Sequence, residues 1–462
     1  MIDAKHIEYF TALVGKDNIY SDKAHLLAYS YDATRERFEP YAVIFPRDEK
    51  DISNILKYCN EKKIVIVPRG AGSGFTGGAL PSSGGIVLAM EKHMNNILDI
   101  DIENMVAVVQ PGVINRDLQK AVEEIGLFYP PDPASQDYST LGGNVSENAG
   151  GMRAAKYGIT KDYVLATRAV LPNGDIIRAG KKTIKDVAGY NISGILIASE
   201  GTLAVLSEIT LRLIPKPKLN RTAMGIFESV DDAMQAVYKT IASGVTPVAM
   251  EFLDNLTIRA VEKTYNKGLP VDTGAILITQ VDGNLQEDLH FQLSQIEKVF
   301  LENDCKEFKI AQNKQEEEDI WFARRNASPS LSVYGSKKLN EDVTVPRSKL
   351  PQLLKKFNAI AKKYDVNIPC FGHTGDGNVH TNVMVDGSDS QKVEVAYKAI
   401  KEVFQATIDL GGTLSGEHGI GMAKAPYMRM AFSDEEMALF QSIKRAFDPN
   451  NILNPFKMGL EA

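Results

Sequence analysis

Two histidines flank a short glycine-rich turn in the sequence CFGHTGDGNVHTNVMVD, residues 370–386. If the four residues GDGN form a hairpin loop, His373 lies directly opposite His380, and Asn382 continues the same sheet face. Directly opposed residues have Cβ atoms about 5 Å apart, so the two imidazoles can reach one metal ion. A stacked, hydrogen-bonded histidine pair without metal fits the pattern equally well, and both interpretations stay open at this point.

A second motif with candidate catalytic or metal-binding residues is GGTLSGEHGIGMAK, residues 411–424. Here Glu417 and His418 lie among glycines, which permit a close approach of the backbone to a ligand. Two histidines and one glutamate form a known open ligand set for Zn²⁺, and the same set suits Fe²⁺ or Mn²⁺. If Glu417 is the carboxylate ligand, His418 can act as a general base near neutral pH.

Basic residues that could hold an anionic substrate follow a helical pattern in WFARRNASPS, residues 321–330. The planar guanidinium of Arg324 or Arg325 can pair with a carboxylate through two hydrogen bonds. An ordinary arginine on a helix surface is the alternative, above all for Arg325. Lys338, in SKKLNED, is a further candidate on the substrate side.

The stretch PRGAGSGFTGG, residues 68–78, matches the GxGxxG pattern of dinucleotide-binding turns. That fingerprint requires a helix that begins inside the glycine loop. Pro81 and further glycines occupy the place of that helix, and proline inside a helix costs about 3 kcal/mol. The pattern therefore excludes a nicotinamide-binding turn and predicts a loop whose backbone amides wrap an anion.

Two further segments are rich in small residues. TLGGNVSENAGG, residues 140–151, follows PPDPAS, and ASEGTLAV occupies residues 198–205. We interpret all three segments as amide-rich loops of one domain. Together they suggest a long cofactor with a pyrophosphate that backbone groups bind in place of lysines.

The elements that must position these motifs change in character along the chain. Up to about residue 218, short strands rich in valine and isoleucine alternate with few helices. One predicted helix, DISNILKYCNEKK, places Ile52, Ile55, Leu56 and Cys59 on one face. Longer helical patterns follow residue 218, so we predict two α+β domains. The Asn- and Pro-rich tail FDPNNILNPFK is expected to fold back without helix.

Composition narrows the class of protein. The 462 residues suffice for two or three domains, and the net charge of −7 argues against a nucleic-acid surface. Neither a membrane-length apolar run nor a secretory signal is visible in the sequence, so a cytoplasmic protein is expected. The three cysteines, Cys59, Cys305 and Cys370, are expected to be small buried residues, and they are too few for an iron–sulfur cluster held by this chain alone.

The motifs PRGAGSGFTGG, PPDPAS, TLGGNVSENAGG and SEGTL resemble the FAD-binding domain of the p-cresol methylhydroxylase and vanillyl-alcohol oxidase superfamily. Within it, the chain is similar to FAD-linked D-lactate dehydrogenases, the D subunit of glycolate oxidase and D-2-hydroxyglutarate dehydrogenase, over about residues 20–460. The resemblance implies an α+β fold. A two-part FAD-binding domain of the p-cresol methylhydroxylase type would span residues 1–218. An α+β (ferredoxin-like) substrate or cap domain with the metal site would span 219–425, and residues 426–462 would return to the FAD domain.

The resemblance also implies the residues around a non-covalent FAD, since the first glycine loop lacks a histidine for covalent attachment. The implied cofactor-binding residues are Pro68, Arg69, Gly70, Ala71, Gly72, Ser73, Thr76, Gly77, Gly78, Pro131, Asp132, Ser135, Gly142, Gly143, Asn144, Ser146, Asn148, Tyr157, Gly158, Glu200, Gly201, Thr202 and Asn454. The chain departs from the family at Ala198, Ala204 and Phe456, where relatives often carry glycine.

For the reaction, the resemblance implies His373, His380 and Glu417 as metal ligands, His418 as base and Arg324 as carboxylate clamp. Lys338 and Asn382 are the other expected substrate contacts. The expected activity is the FAD-dependent dehydrogenation of D-lactate or glycolate to the 2-oxo acid. D-2-hydroxyglutarate dehydrogenation, an oxidase reaction with O₂, and a flavin-binding scaffold subunit are the alternatives. The expected electron acceptor is a protein partner, either an electron-transfer flavoprotein or an iron–sulfur subunit.

Overall fold

A computed structural model describes residues 2–460. The chain forms two compact units. Unit 1 comprises the described parts of residues 1–150, 159–216 and 417–462. Unit 2 comprises residues 151–158 and 217–416. The short segment 151–158 belongs to unit 2 because Lys156 and Tyr157 both hydrogen-bond the carboxylate of Asp282. Residues 417–425, which the sequence analysis assigned to the second domain, lie in unit 1.

The strands of unit 1 are short and largely buried. They are β1 (Ile19–Tyr20), β2 (Ala42–Ile44), β3 (Ile66–Arg69), β4 (Ile86–Ala89), β5 (Ile97–Asp101), β6 (Val106–Val109), β7 (Leu127–Phe128), β8 (Val164–Val170), β9 (Ile176–Gly180), β10 (Val205–Arg212) and β11 (Ile214–Pro215). They form sheets with the orders β1-β2-β4-β3, β5-β6-β10-β8-β9 and β11-β7.

The first helices alternate with these strands. They are α1 (Ala4–Val14), α2 (Lys23–Ala28), α3 (Glu49–Lys62), α4 (Asn115–Glu123), α5 (Leu141–Glu147), α6 (Ala154–Tyr157) and α7 (Ile192–Leu196), and α6 belongs to unit 2. The predicted apolar face of α3 is confirmed, since Ile52, Ile55, Leu56 and Cys59 are fully buried. Asp48 caps this helix by accepting a hydrogen bond from the Asp51 amide.

The first glycine loop, residues 70–85, follows from the topology of the first sheet. β3 and β4 are parallel neighbours, so the chain that leaves β3 must return to the opposite end of the sheet before β4 begins. No helix forms in this connection, as the position of Pro81 predicted. The loop is therefore a long irregular crossover at the carboxyl end of β3.

Unit 2 is built on one antiparallel sheet. In chain order its elements are β12 (Leu219–Phe227), α8 (Val230–Ala242), β13 (Ala249–Asp254), α9 (Asn255–Tyr265), β14 (Ala275–Gly283), α10 (Gln286–Leu301), β15 (Cys305–Ile310), α11 (Lys314–Arg325), α12 (Ala327–Ser330), β16 (Lys337–Thr344), α13 (Leu350–Tyr364), β17 (Cys370–His373), β18 (Asn378–Val385) and α14 (Ser390–Ile408). The strand order in the described chain is β15-β12-β14-β13-β17-β18-β16.

The first four strands of unit 2, with α8 and α10, follow the β-α-β-β-α-β pattern of ferredoxin-like folds. The hairpin β17–β18 extends the sheet from the edge strand β13, and β16 pairs with the far side of β18. This extension carries both histidines of the first motif. A single sheet therefore connects a common α+β scaffold to the residues of chemical interest.

The C-terminal helices α15 (Met428–Ala431) and α16 (Asp434–Phe447) lie in unit 1, and the tail after them is non-helical as predicted. The tail returns to the first sheet, where the Ile66 amide donates to Ile452 O and the Asn454 amide donates to Ile66 O. No helix within residues 2–460 is long and apolar enough to cross a lipid bilayer. All three cysteines are buried, which confirms the interpretation of them as small core residues.

The buried Lys444 hydrogen-bonds the tail to the rest of unit 1, so its replacement should lower the stability of the fold. Lys444 Nζ donates to Thr202 O and Leu453 O, both at 2.8 Å, and to Asp448 Oδ2 at 2.5 Å. Lys444→Met is expected to cost about 3–5 kcal/mol, because it leaves the Asp448 charge buried without its cation. Lys398→Met, which breaks an exposed helix pair with Glu394, should cost less than about 1 kcal/mol. Chemical denaturation of both variants measures the difference, and equal midpoints would contradict the assignment.

Candidate active site

A cleft in unit 1 collects most of the predicted cofactor residues. Its walls come from the first glycine loop, from α5 with the segment before it, and from the loop that precedes β10. The predicted residues that line it are Pro68, Arg69, Gly70, Ala71, Gly72, Ser73, Gly78, Ser135, Gly142, Gly143, Asn144, Ser146, Glu200 and Gly201. Three separate motifs of the sequence thus line one cleft.

Other predicted cofactor residues are placed elsewhere. Thr76, Gly77, Pro131, Asp132, Asn148, Thr202 and Asn454 belong to unit 1 but are outside the lining of the cleft. Some of them hold the loops in place: Asn454 Nδ2 donates to Gly78 O and Glu200 O, both at 2.7 Å. Tyr157 and Gly158 belong to unit 2.

The first glycine loop presents backbone donors. Gly72 and Gly77 have φ angles of 66° and 78°, the left-handed region that favours glycine. Within the described chain, the amides of residues 72–75 donate to no acceptor. Consecutive amides in such a conformation form a concave anion site. This local geometry suits a pyrophosphate.

The second motif differs from the predicted loop. Residues 141–147 form helix α5, because the Thr140 side chain accepts a hydrogen bond from the Gly143 amide and caps the first turn. The prediction of an irregular loop was wrong here, since this cap offsets the low helix propensity of two glycines. Ser139 Oγ and Asn144 Nδ2 line the cleft region, are buried, and have no hydrogen-bond partner among residues 2–460. Buried polar atoms of this kind fit a polar cofactor that would satisfy them.

Gly142 packs against Pro111, and its amide donates to Pro111 O at 2.8 Å. A Cβ atom at this position would lie 2.6 Å from Pro111 Cβ and 2.8 Å from Pro111 O. Gly142→Ala is expected to weaken FAD binding about tenfold or more, because overpacking here costs about 1–3 kcal/mol and moves a cleft wall. FAD titration of the apoprotein measures this. Gly126→Asn is the control and should keep FAD affinity within about twofold, because a Cβ there meets nothing within 4 Å and asparagine tolerates the left-handed φ of 80° at this position.

The segment that contains Glu417 and His418 also lines this cleft. Thr76 Oγ1 donates to His418 O at 3.2 Å, and the His418 and Phe75 ring centroids are 5.1 Å apart. Glu200, whose pKa is raised by burial, accepts hydrogen bonds from the Ile420 and Gly421 amides at 2.7 Å. Two loops of the cleft therefore fix the backbone on both sides of His418.

The paired histidines lie on one face of the unit 2 sheet, with a register different from the predicted one. Phe371, not His373, pairs with His380, because the loop consists of residues 374–377. His373 is two residues further along β17, and a shift of two residues keeps side chains on the same face. The two Nε2 atoms are 3.4 Å apart. The predicted register was wrong, and the predicted meeting of the two imidazoles is confirmed.

The separation of these nitrogens fits a shared metal ion. Two nitrogens that each lie about 2.1 Å from a tetrahedral Zn²⁺ are about 3.4 Å apart. His373 Nδ1 lies 2.8 Å from Glu251 Oε1, so the hydrogen bond occupies Nδ1 and directs Nε2 towards His380. Metal-bound histidines in proteins commonly have such a carboxylate partner. The donor set of the two histidines thus suits a metal centre.

Residues of the expected substrate side extend across the same sheet face. Asn382 follows His380 on β18, and its Oδ1 is buried without a hydrogen-bond partner within residues 2–460. Lys338 pairs with Met384 and donates from Nζ to Ser328 Oγ at 2.6 Å. These side chains therefore stay candidates for substrate contacts.

Arg324 and Arg325 have different surroundings. Arg324 lies at the end of α11, donates from Nε to Glu251 Oε2 at 2.5 Å, and stacks over Phe371 with 4.9 Å between guanidinium carbon and ring centroid. Arg325 is exposed and donates to Glu318 O at 3.1 Å. The structure thus places Arg324, and not Arg325, beside the histidine pair.

Sequence reasoning missed several residues of these sites. Pro111, Ser139 and Glu147 line the cleft, and Glu251 contacts both His373 and Arg324. Glu251 had a detectable signal, because it is the charged residue inside the otherwise apolar sequence AMEFL. A charge in a buried strand requires a partner, and this requirement could have identified it.

Comparison with known proteins agrees with this description. Residues 40–180 match the FAD binding domain family, and residues 216–458 match the family of FAD linked oxidases, C-terminal domain. The chain is 44% identical to the glycolate oxidase subunit GlcD of Bacillus subtilis (strain 168), over 98% of this chain and 96% of that protein. It is 35% identical to a D-lactate dehydrogenase of Anaerostipes hadrus, over 98% of this chain and 96% of that protein.

Among solved structures, p-cresol methylhydroxylase with substrate bound shares the fold, with a TM-score of 0.82 and 18% identity over 99% of this chain and 96% of that one. The predicted α+β fold of the p-cresol methylhydroxylase type is therefore confirmed. Fold and cleft define a flavoprotein oxidoreductase whose cofactor is FAD. The chain belongs to the FAD-linked oxidase family.

Proposed function

We propose that this enzyme oxidises a small 2-hydroxy acid, D-lactate or glycolate, to the 2-oxo acid. The observation that carries the proposal is the sheet face of unit 2, where two histidine nitrogens converge beside an arginine held by a buried carboxylate. A metal ion held by the histidine pair, together with a carboxylate clamp, suits a substrate that has adjacent hydroxyl and carboxylate groups. The names of the relatives, glycolate oxidase subunit and D-lactate dehydrogenase, support the same substrate class.

His373, His380 and Glu417 are the proposed ligands of one divalent metal ion, which is Zn²⁺, Fe²⁺ or Mn²⁺. Chain continuity supports the inclusion of Glu417. The amide of Gly416 donates to Asp342 Oδ2 at 2.7 Å, and Asp342 pairs directly with His380 across β16 and β18. Glu417 is the next residue, so the peptide that carries it starts beside His380. When bound, such an ion acts as a Lewis acid and lowers the pKa of a hydroxyl group.

His418 is the proposed general base. It follows Glu417 in the sequence. The hydrogen bond from Thr76 Oγ1 to the His418 carbonyl fixes its backbone at the cleft. An imidazole takes up a proton readily near neutral pH, which suits removal of the substrate hydroxyl proton. FAD supplies the acceptor for the hydride that leaves C2.

Arg324 is the proposed clamp for the substrate carboxylate. Its Nε is committed to Glu251, while its two terminal nitrogens make no hydrogen bond within the described chain. Those nitrogens can therefore receive a carboxylate. Lys338 and Asn382, on the same sheet, are the other proposed contacts of the substrate.

The FAD contacts are proposed to be the cleft-lining residues named above, with the amides of residues 72–75 at the pyrophosphate. The reduced cofactor must pass its electrons onward. We assign this step to a protein acceptor, an electron-transfer flavoprotein or an iron–sulfur subunit. The chain's three cysteines are buried in its core, and they are too few to hold an iron–sulfur cluster of the chain's own.

A panel of D- and L-2-hydroxy acids tests the substrate assignment. Purified enzyme with an artificial electron acceptor should oxidise D-lactate or glycolate fastest and yield one 2-oxo acid per pair of electrons. L-lactate should be a poor substrate. Stoichiometric peroxide formation in air without any acceptor would contradict the protein partner, and turnover of none of the acids would contradict the substrate class.

A further inference from the structure

Glu251 is a carboxylate without any access to solvent at the centre of the unit 2 site. It lies on β13 and pairs with His373 of β17 across the sheet. Oε1 lies 2.8 Å from His373 Nδ1, and Oε2 accepts a hydrogen bond from Arg324 Nε at 2.5 Å. Each oxygen thus has a different partner with a different proposed task.

The burial of this charge indicates a role other than stability. Moving a carboxylate into a protein interior costs several kcal/mol, and a well-packed apolar pair is often at least as stable. The Arg324 guanidinium and the hydrogen bond from His373 Nδ1–H offset that cost, because each oxygen of the Glu251 carboxylate has a donor. Because it is fully buried, Glu251 acts only through these two neighbours.

We propose that Glu251 is a positioning residue that sets the direction of a metal ligand and of the substrate clamp together. This inference rests on the proposed function. By accepting from Nδ1–H, Glu251 fixes the His373 tautomer in which Nε2 carries the lone pair. By holding Nε of Arg324 over the Phe371 ring, it leaves both terminal nitrogens for a substrate carboxylate.

Glu251→Gln tests the proposal, because an amide offers one acceptor where the two neighbours present two donors. The affinity for Zn²⁺, measured by chelator competition on FAD-loaded protein, is expected to fall about 10- to 100-fold. The KM for D-lactate or glycolate should rise about tenfold, because the amide –NH2 faces a donor and the side chain can no longer position His373 and Arg324 together. FAD content should match the wild type. Unchanged Zn²⁺ affinity together with unchanged KM would overturn the proposal.

Glu317→Gln is the matched control. This carboxylate also lies in unit 2 and accepts hydrogen bonds, from Thr222 Oγ1 at 2.7 Å and Gln280 Nε2 at 3.1 Å, but contacts neither His373 nor Arg324. Its Zn²⁺ affinity and KM should stay within about twofold of the wild type. An equal loss in both variants would show a general effect of charge removal and would overturn the specific role.

Glu251→Asp keeps the charge and serves if the glutamine variant does not fold. The shorter side chain cannot reach both partners, so Zn²⁺ affinity or KM must still worsen, and wild-type values for both would overturn the proposal. Failure of the underlying function gives a different result. If the wild-type protein binds no Zn²⁺, Fe²⁺ or Mn²⁺, the metal site itself is contradicted. If the wild-type protein binds the metal and the Glu251→Gln variant behaves in the same way, only the role of Glu251 is contradicted.

Discussion

His418→Ala is expected to slow reduction of the bound flavin by D-lactate or glycolate about 100- to 10,000-fold, the usual contribution of a general base. The substrate hydroxyl proton has no other assigned acceptor, and the backbone at residue 418 is held by Thr76 and Glu200 whatever its side chain. FAD content should therefore be retained. Anaerobic stopped-flow absorbance of the flavin measures the rate.

His25→Ala is the control for this variant. His25 also lies in unit 1, but it does not line the cleft, and its ring interacts with Asp22 and Tyr20. Its flavin reduction should equal that of the wild type. A His418→Ala enzyme that reduces its flavin at half the wild-type rate or faster would exclude His418 as the base.

Metal removal is expected to have a comparable effect. Dialysis of the enzyme against a chelator should lower kcat/KM about 100-fold or more, since Lewis-acid activation of an oxygen contributes several kcal/mol. Addition of one equivalent of the native metal should restore activity. His380→Ala should show the same loss without restoration, because one of the two converging nitrogens is missing.

His290→Ala is the matched control in unit 2, because this histidine is exposed on α10. It should retain both metal and activity. Metal analysis and steady-state kinetics of the three preparations provide the comparison. Full activity of metal-free wild-type enzyme would contradict the metal site, and His380→Ala with a full complement of metal would exclude His380 as a ligand.

The sequence predicted that the two histidines lie close together, because the strand pattern on both sides of the turn could be recognised. His373 and His380 were predicted to share a face because alternation along a strand has a period of two. The loop between them was placed one residue too late, so the predicted register was wrong by two residues. Alternation alone cannot locate a turn, since Thr374 and Asn378 both fit a loop end.

Helix boundaries show a similar limit. Residues 140–151 contain four glycines, and composition alone favours a loop, whereas the side chain of Thr140 caps a real helix. A glycine is present at position 142 of this helix because a Cβ atom there would clash with Pro111. This contact joins residues distant in sequence, so no local pattern could have predicted it.

The positive φ angles clarify two departures from the family pattern. Ala198 and Phe456 have φ angles of 60° and 65°, in the left-handed region where glycine is the least strained residue. Relatives that carry glycine at these places are therefore expected to have the same backbone conformation. The role of Glu251 was not predicted from the sequence, because its partners His373 and Arg324 lie on β17 and α11 and come together only in the folded unit.

Anaerobic mixing of the purified enzyme with D-lactate or glycolate tests the central claim most directly. We predict loss of the visible absorption of oxidised FAD, with one molecule of 2-oxo acid formed for each flavin reduced. An oxidised flavin spectrum that stays unchanged with every small D- and L-2-hydroxy acid, in metal-loaded enzyme, would contradict it.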